Sequence, residues 1–284
     1  MPEEPLVSNV SDTARWVAAY RAQESARTDA LFKDPFADKL AGERGRAIAA
    51  KGPRQARNGW PMVVRTRLFD DLIAESIQEG CDCVLNLAAG LDTRPYRMDL
   101  PASLDWVEAD LGPMIDEKEK LLAGETPRCR LRRERVDLAD RLEREAFLLR
   151  ATTDAKRVLV LTEGLLVYLD EAVVRDLGRD LLGRPSVRWW VLDVNSPAIR
   201  RMLIKGMGSL LDNAPMKFAP PDGVAFFEAL GWKARDIRSF IREAMRLQRL
   251  PFLLRIFARL PEPDPRNPGP NGRWSAVLRL ERGV

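Results

Sequence analysis

The sequence predicts an α/β domain with a mostly parallel sheet covered by helices on both faces. Three observations predict it. Short, continuously apolar runs such as VLNLA, VLVLT and WWVLDV alternate with longer segments of helical period. Strands buried on both faces read as unbroken apolar runs, and helical crossovers between them make neighbouring strands parallel. The runs end in small or acidic residues (AAG, EAD, TEG), and ligands of such sheets bind beyond the carboxyl ends of the strands. Finally, 284 residues, 45% hydrophobic and 31% charged, suffice for a core that needs no covalent staples.

Taken in order, Ser8 to Glu24 has helical spacing, with Ser8 or Ser11 available as cap and Trp16, Val17 and Tyr20 on one face. Asp34-Pro35-Phe36 leads into a second, short helix, and Gly52 to Pro61 reads as a loop. Val64, Leu68, Phe69, Leu72, Ile73 and Ile77 form the apolar stripe of a third helix that Gly80 can end. Strands are expected at Cys83 to Gly90, Leu104 to Asp110, Cys129 to Leu138, Arg157 to Leu169 (strand plus turn) and Val187 to Val194. Helices are expected between them at Pro113 to Ala123, Asp140 to Ala151 and Asp170 to Leu182. Ser196 to Pro221 breaks the rhythm and reads as an irregular insertion. A helix at Gly223 to Leu230, a strand at Trp232 to Ile237, a Pro-rich loop and a last strand at Arg273 to Arg282 follow. Leu247 to Leu260, apolar and basic, reads as a helix buried against the sheet, with contact to a membrane surface as the less favoured alternative. The organisation expected is one domain, 1–284: a helical cap at 1–64, a core at 65–196 and 222–284, and a lid or substrate insertion at 197–221.

Composition excludes several classes. The net charge is +4, and 37 of the 46 basic residues are arginine, interspersed with 42 acids. Nucleic-acid binding needs a concentrated basic stripe with aromatics; the densest run, Arg128 to Arg135, contains none and fits a strand face plus loop. Three cysteines, Cys81, Cys83 and Cys129, are too few for a disulfide framework and point to a reducing, cytoplasmic setting. With no histidine, a closed zinc site is not expected and no metal is assigned. No apolar run is long enough to span a membrane, and no membrane partner is expected.

The strand ends carry the candidate site. In LAAGLDTRPYR, Ala88, Ala89 and Gly90 allow a ligand close to the backbone. This is not GxGxxG, and Asp92 in the turn would repel the phosphates that such a fingerprint holds. Asp110 ends the second strand twenty residues after Gly90, a spacing suited to an acid that accepts from ribose hydroxyls; Glu108 is the fallback. Asp137 and Leu138 suit an adenine amino group and its ring face. Glu163 follows four apolar strand residues, where an unpaired charge is costly, so it must face a ligand or a buried partner. Tyr168 follows five residues later.

VVRTRLFDDLI, VLNLAAGLDTRPYR and LTEGLLVYLDE, in this order, resemble the leucine carboxyl methyltransferase family, and more closely its bacterial branch, which includes polyketide O-methyltransferases of the tetracenomycin type. The likeness runs from about Arg21 to Asp193 and continues more weakly over Phe226 to Trp232. It implies a class I S-adenosylmethionine (SAM) methyltransferase fold, Rossmann-like and seven-stranded with the last strand antiparallel. The implied cofactor is SAM, with S-adenosylhomocysteine as product. By position, Arg65 matches the arginine on the methionine carboxylate, with Arg21 as a second basic candidate. Ala88 and Gly90 lie beside the cofactor; Asp110 matches the ribose acid, Asp137 and Leu138 the adenine contacts, and Glu163 the acid near the amino group. This chain departs from the family's frequent GAG by placing Ala88 where the first glycine stands, tolerable if its φ is negative.

Methyl transfer needs an electron-rich acceptor. A carboxylate is ionised at neutral pH, whereas a phenol or alcohol commonly needs a base, most often histidine. With no histidine, the expectation is O-methylation of a carboxylate or acidic hydroxyl on a small, secondary-metabolite-like molecule. Tyr168 is a candidate for alignment, and Arg200 and Arg201, with Lys205, are candidates for anchoring the acceptor. The alternatives are an NAD-dependent oxidoreductase, which the missing fingerprint disfavours, and a SAM-binding protein without catalysis. The sequence leaves the oligomeric state open.

Overall fold

The computed structural model describes residue 7 and residues 10–52, 59–208 and 212–283. A seven-stranded sheet runs in the order β3-β2-β1-β4-β5-β7-β6. It comprises β1 (Cys83–Leu87), β2 (Asp105–Asp110), β3 (Arg130–Arg135), β4 (Val158–Thr162), β5 (Val187–Asn195), β6 (Trp232–Ser239) and β7 (Ser275–Arg282). The pairs from β3 through β5 are parallel, and β7 is antiparallel to both β5 and β6. Chain order reverses beside β1, between β2 and β4, which places a ligand crevice at the carboxyl ends of these strands.

β1 and β4 are buried along their whole length, as their unbroken apolar runs require. Alternate residues face opposite layers. Leu85, Val160 and Trp190 pack against α6 (Arg141–Thr152) and α7 (Glu171–Leu182) through Phe147, Leu148 and Leu177. Val84, Leu161 and Trp189 face α3 (Trp60–Gln78) and α10 (Phe240–Arg246) through Leu68, Leu72 and Phe240. A third cluster joins α1 (Val10–Ser25) to α2 (Ala37–Lys51) through Trp16, Tyr20, Leu40 and Ile48. The arginine-rich run forms β3 at the sheet edge with alternating exposure, where charge discourages pairing with another chain.

The structure corrects four local expectations. α1 begins at Val10, so Ser11 lies inside it; Ser8 is outside the described residues. The helix after Asp34-Pro35-Phe36 runs for 15 residues, with a kink at Gly42. The insertion after β5 contains α8 (Pro197–Met207), capped by the Ser196 hydroxyl, which accepts from the Ile199 amide; residues 209–211 fall outside the described set. Leu247 to Leu260 is not one buried helix. α10 ends at Arg246, and two short 3-10 turns, Phe252–Leu254 and Phe257–Arg259, follow. Pro251 opens that stretch, and a proline lacks the amide a continuing helix needs.

Candidate active site

Residues far apart in sequence meet at the carboxyl edge of β1, β2, β4 and β5. Glu163 leaves the end of β4 and receives two guanidiniums: Arg65 Nε from α3 at 3.0 Å and Arg94 from the turn after β1 at 2.8 Å. Gly164, at φ +67°, turns the chain beneath Arg65, and a Cβ there would lie 3.1 Å from the guanidinium. The Gly164 amide donates to Asp193 of β5 at 2.6 Å, and Arg65 reaches the same carboxylate at 3.5 Å. Burial works to lower the Arg65 pKa, but Asp193 and Glu163 raise it above its ordinary value. Burial pushes the Asp193 carboxyl up, against the pull of Arg65 and the Gly164 amide.

The first turn is built as tightly. Gly90, at φ +47°, donates its amide to Asp110 at 2.6 Å, and the Leu111 amide reaches the other oxygen at 2.8 Å. Burial pushes the Asp110 carboxyl up against these two amides. Each oxygen retains a free lone-pair direction, as recognition of two adjacent hydroxyls requires. Glu108 is fully buried between Lys118 and Arg133, at 2.8 Å from each, and ties α5 (Gly112–Leu121) to the sheet. Ala88 is at φ +54°, which corrects the expectation of a negative value. A left-handed alanine costs on the order of 1–2 kcal/mol, so the turn retains local strain.

Asp137 is exposed and folds its carboxylate onto the Ala139 amide at 2.9 Å, while Leu138 is buried beside it. Asp92 is half-buried, accepting from Asn86 at 2.7 Å and pairing with Arg94 at 2.8 Å. Burial raises its carboxyl, but Arg94 and Lys118 outweigh that and hold it far below the usual range. Arg21 is buried, pairing with Asp34 at 2.8 Å and donating to the Leu91 carbonyl at 2.6 Å. In this arrangement it clamps the helical cap to the first turn. α1 crosses that turn directly: a Cβ on Gly90 would lie 3.4 Å from the Ala14 side chain. Tyr168 bonds Thr13 of α1, and burial pushes its phenol up. The surface hollows beside Trp232 and beside Leu100 contain none of these residues.

Among the acceptor-side candidates, Arg200 donates to the Met216 carbonyl at 2.9 Å, and its Nε is buried without a hydrogen-bond partner. Arg201 is turned to the Pro270 carbonyl at 2.9 Å, and Lys205 is exposed. The sequence reading missed Arg94, Asp70 and Asp193. Arg94 and Arg97 share Asp70 at 2.7 and 2.8 Å. Signals existed in the two arginines of the TRPYR turn and the acid closing the apolar run of β5, but their pairing is visible only in three dimensions.

The ionic group holds four guanidiniums, Arg21, Arg65, Arg94 and Arg97, against five carboxylates, Asp34, Asp70, Asp92, Glu163 and Asp193. Beside it, Asp110 and Glu108 stand against Lys118 and Arg133, which makes seven carboxylates to six cations in all. Such a crevice favours a ligand of net positive charge and repels phosphates. Among the described residues no acid, cysteine or histidine cluster suits a metal, and Cys81 and Cys83 are buried thiols pushed up to about 12 by burial.

A profile of the leucine carboxyl methyltransferase family matches residues 14–181. A Frankia alni protein named "putative S-adenosyl-L-methionine-dependent methyltransferase" is 30% identical over 80% of this chain and 84% of its own length. A Mycobacteroides abscessus protein of the same name is 34% identical over 62% of each, so the chain spans about three-fifths of that relative's length. Among solved structures, a DUF574-family protein from Streptomyces avermitilis aligns over 96% of this chain and 97% of its own with a TM-score of 0.61 at 15% identity. The structure of a protein described as a "putative methyltransferase" from Thermobifida fusca aligns over 95% of this chain and 94% of its own with a TM-score of 0.53 at 16% identity. The two structures share the fold described above.

Proposed function

The chain belongs to the leucine carboxyl methyltransferase family, whose members use SAM, and from that premise we propose that it methylates an oxygen, foremost a carboxylate, of a small-molecule acceptor. The observation that carries the cofactor half is the ionic group around Arg65, Glu163 and Asp193, in which five carboxylates meet four guanidiniums; a ligand bearing an ammonium and a sulfonium balances it. The donor set fits that ligand from end to end. Arg65 exchanges one carboxylate partner for the methionine carboxylate, a match for its planar fork. Glu163 and Asp193 take the ammonium, the free lone pairs of Asp110 take the ribose hydroxyls, and Asp137 with Leu138 takes the adenine. Arg21 acts at one remove, by holding α1 over the turn.

When bound, SAM supplies an electrophilic methyl carbon on positive sulfur; an acceptor oxygen bonds to it as the carbon–sulfur bond breaks and the electron pair stays on sulfur. The chain's own task is alignment and exclusion of water. Tyr168, which bonds Thr13 of α1, stands as the proposed wall on the acceptor side, and Arg200 offers a buried, unpartnered Nε to an anionic acceptor. A carboxylate arrives without a proton to lose, which suits a chain with no histidine. We expect acceptors of the polyketide or related secondary-metabolite type, walled by the cap at 1–64 and the insertion. Incubating the protein with methyl-labelled SAM and a panel of aromatic carboxylic acids and phenols tests this. Esters lose their label as volatile methanol in mild alkali, whereas ethers keep it. Alkali-labile label supports the carboxylate acceptor; alkali-stable ether label overturns that preference in favour of a hydroxyl, and label found only on nitrogen or carbon overturns the proposal.

A further inference from the structure

Beyond the site, residues 247–260 present a surface that the fold leaves uncovered. Phe252, Leu253, Ile256 and Leu260 are 78%, 77%, 70% and 57% exposed. They are not loose ends. Leu250 is buried, and Leu254 and Ala258 pack against the α3 side of the core, so the same short turns are anchored inward and apolar outward. Arg249 pins the stretch through Glu24 at 2.8 Å and Asp29 at 3.2 Å. From Leu247 to Pro261 there is no acidic residue. Arg255 and Arg259 lie exposed between the apolar side chains with no ion-pair partner among the described residues; Arg255 donates only to the Leu250 carbonyl. The equally arginine-rich edge strand differs: Arg132, Arg133 and Arg135 there are engaged by Glu134, Glu108 and Asp116.

We propose that this segment docks the protein onto the surface of an anionic lipid bilayer. Anchored apolar side chains would enter the headgroup boundary while Arg255 and Arg259 meet lipid phosphates. The charge pattern selects this occupant: free guanidiniums without acids, flanking bulky apolar groups, match an anionic apolar interface and are unsuited to meeting an identical basic copy. The expectation of no membrane partner rested on the lack of a spanning apolar run and on preferring a buried helix here. No described helix is long and apolar enough to cross a bilayer, and surface docking needs none. The segment lies in the β6–β7 connection, which leaves and rejoins the sheet at the carboxyl edge, the same edge as the cofactor crevice.

Flotation of the full chain with vesicles of phosphatidylcholine alone, or mixed with phosphatidylglycerol, tests the proposal. Two unpaired arginines predict roughly ten- to thirtyfold stronger partition onto the anionic vesicles. The Leu253→Ser/Ile256→Ser double variant should lose partition onto both vesicle types. The Arg255→Gln/Arg259→Gln variant should lose only the anionic preference. These side chains are exposed, so an unchanged thermal midpoint certifies the fold of each variant. Equal or absent partition of the parent overturns the proposal, as does parent-like binding by the serine variant. So does a parent dimer in sedimentation that the serine variant converts to monomer without any vesicle binding, which would make a second copy the occupant.

Discussion

Replacing Arg65 with alanine removes the one guanidinium shared by Glu163 and Asp193. A hydrogen bond to a charged group contributes about 1.5–3 kcal/mol, so SAM affinity should fall by about 10- to 100-fold, measured by calorimetry, with Arg65→Lys recovering only part because it lacks the fork. Ala88 offers an opposite test. Relief of its left-handed strain is worth on the order of 1–2 kcal/mol, against about 0.4–1 kcal/mol of added freedom in the unfolded chain. Ala88→Gly should therefore raise stability by roughly 0.5–1 kcal/mol, read from urea denaturation. Asp110 and Glu163 were legible as site candidates because each stands at a strand end with a stated chemical need, whereas Arg65, inside α3, was legible only through the family resemblance. Arg94 and Asp70 were not, because their meaning is a pairing between α3 and the turn after β1.

The elements were legible in proportion to their burial. β1, β4 and β5 announce themselves through unbroken apolar runs, and the structure places them where those runs stand. α8 was read as irregular because glycine and proline breaks crowd the segment from Ser196 to Pro221, although the helix itself is amphipathic with none of its residues buried. The 247–260 stretch failed for a different reason, since apolar residues there point both inward and outward. At the β4 turn, Gly164 is required twice, by its positive φ and by Arg65 above it. Gly164→Ala should push the guanidinium off Glu163, weakening SAM binding at least tenfold while lowering stability by about 1–2 kcal/mol. A binding titration alongside a thermal melt checks both parts; unchanged affinity would show that the turn does not set the Arg65 position.

Across the whole molecule the buried charges give opposite responses to pH. Asp70 and Asp92 are held low in the fold; burial raises each, but Arg97 and Arg94 outweigh it for Asp70, and Arg94 with Lys118 for Asp92. Their stabilising contribution is complete above the ordinary carboxylate value, near pH 4, and is lost as pH falls through the lowered values. Asp193 and Asp110 are raised by burial, so their contribution is complete below that value and is lost as pH climbs past the raised ones. Asp193 faces Arg65, Glu163, Tyr168 and the Gly164 amide, a set short of positive charge. A cationic ligand stabilises its ionised form. The thermal shift produced by SAM should grow from about pH 4 through the raised Asp193 value and then level off, and Asp193→Asn should abolish that rise.

The central claim is that the carboxyl-edge crevice is an acid-rich site for a positively charged nucleoside–amino acid. Isothermal titration of the purified chain with SAM, repeated with Arg65→Ala and with NADH, tests it most directly. The account predicts saturable binding of SAM, weakening by at least tenfold in the variant, and no heat with NADH. Saturable NADH binding, or no SAM binding by folded protein, would contradict it.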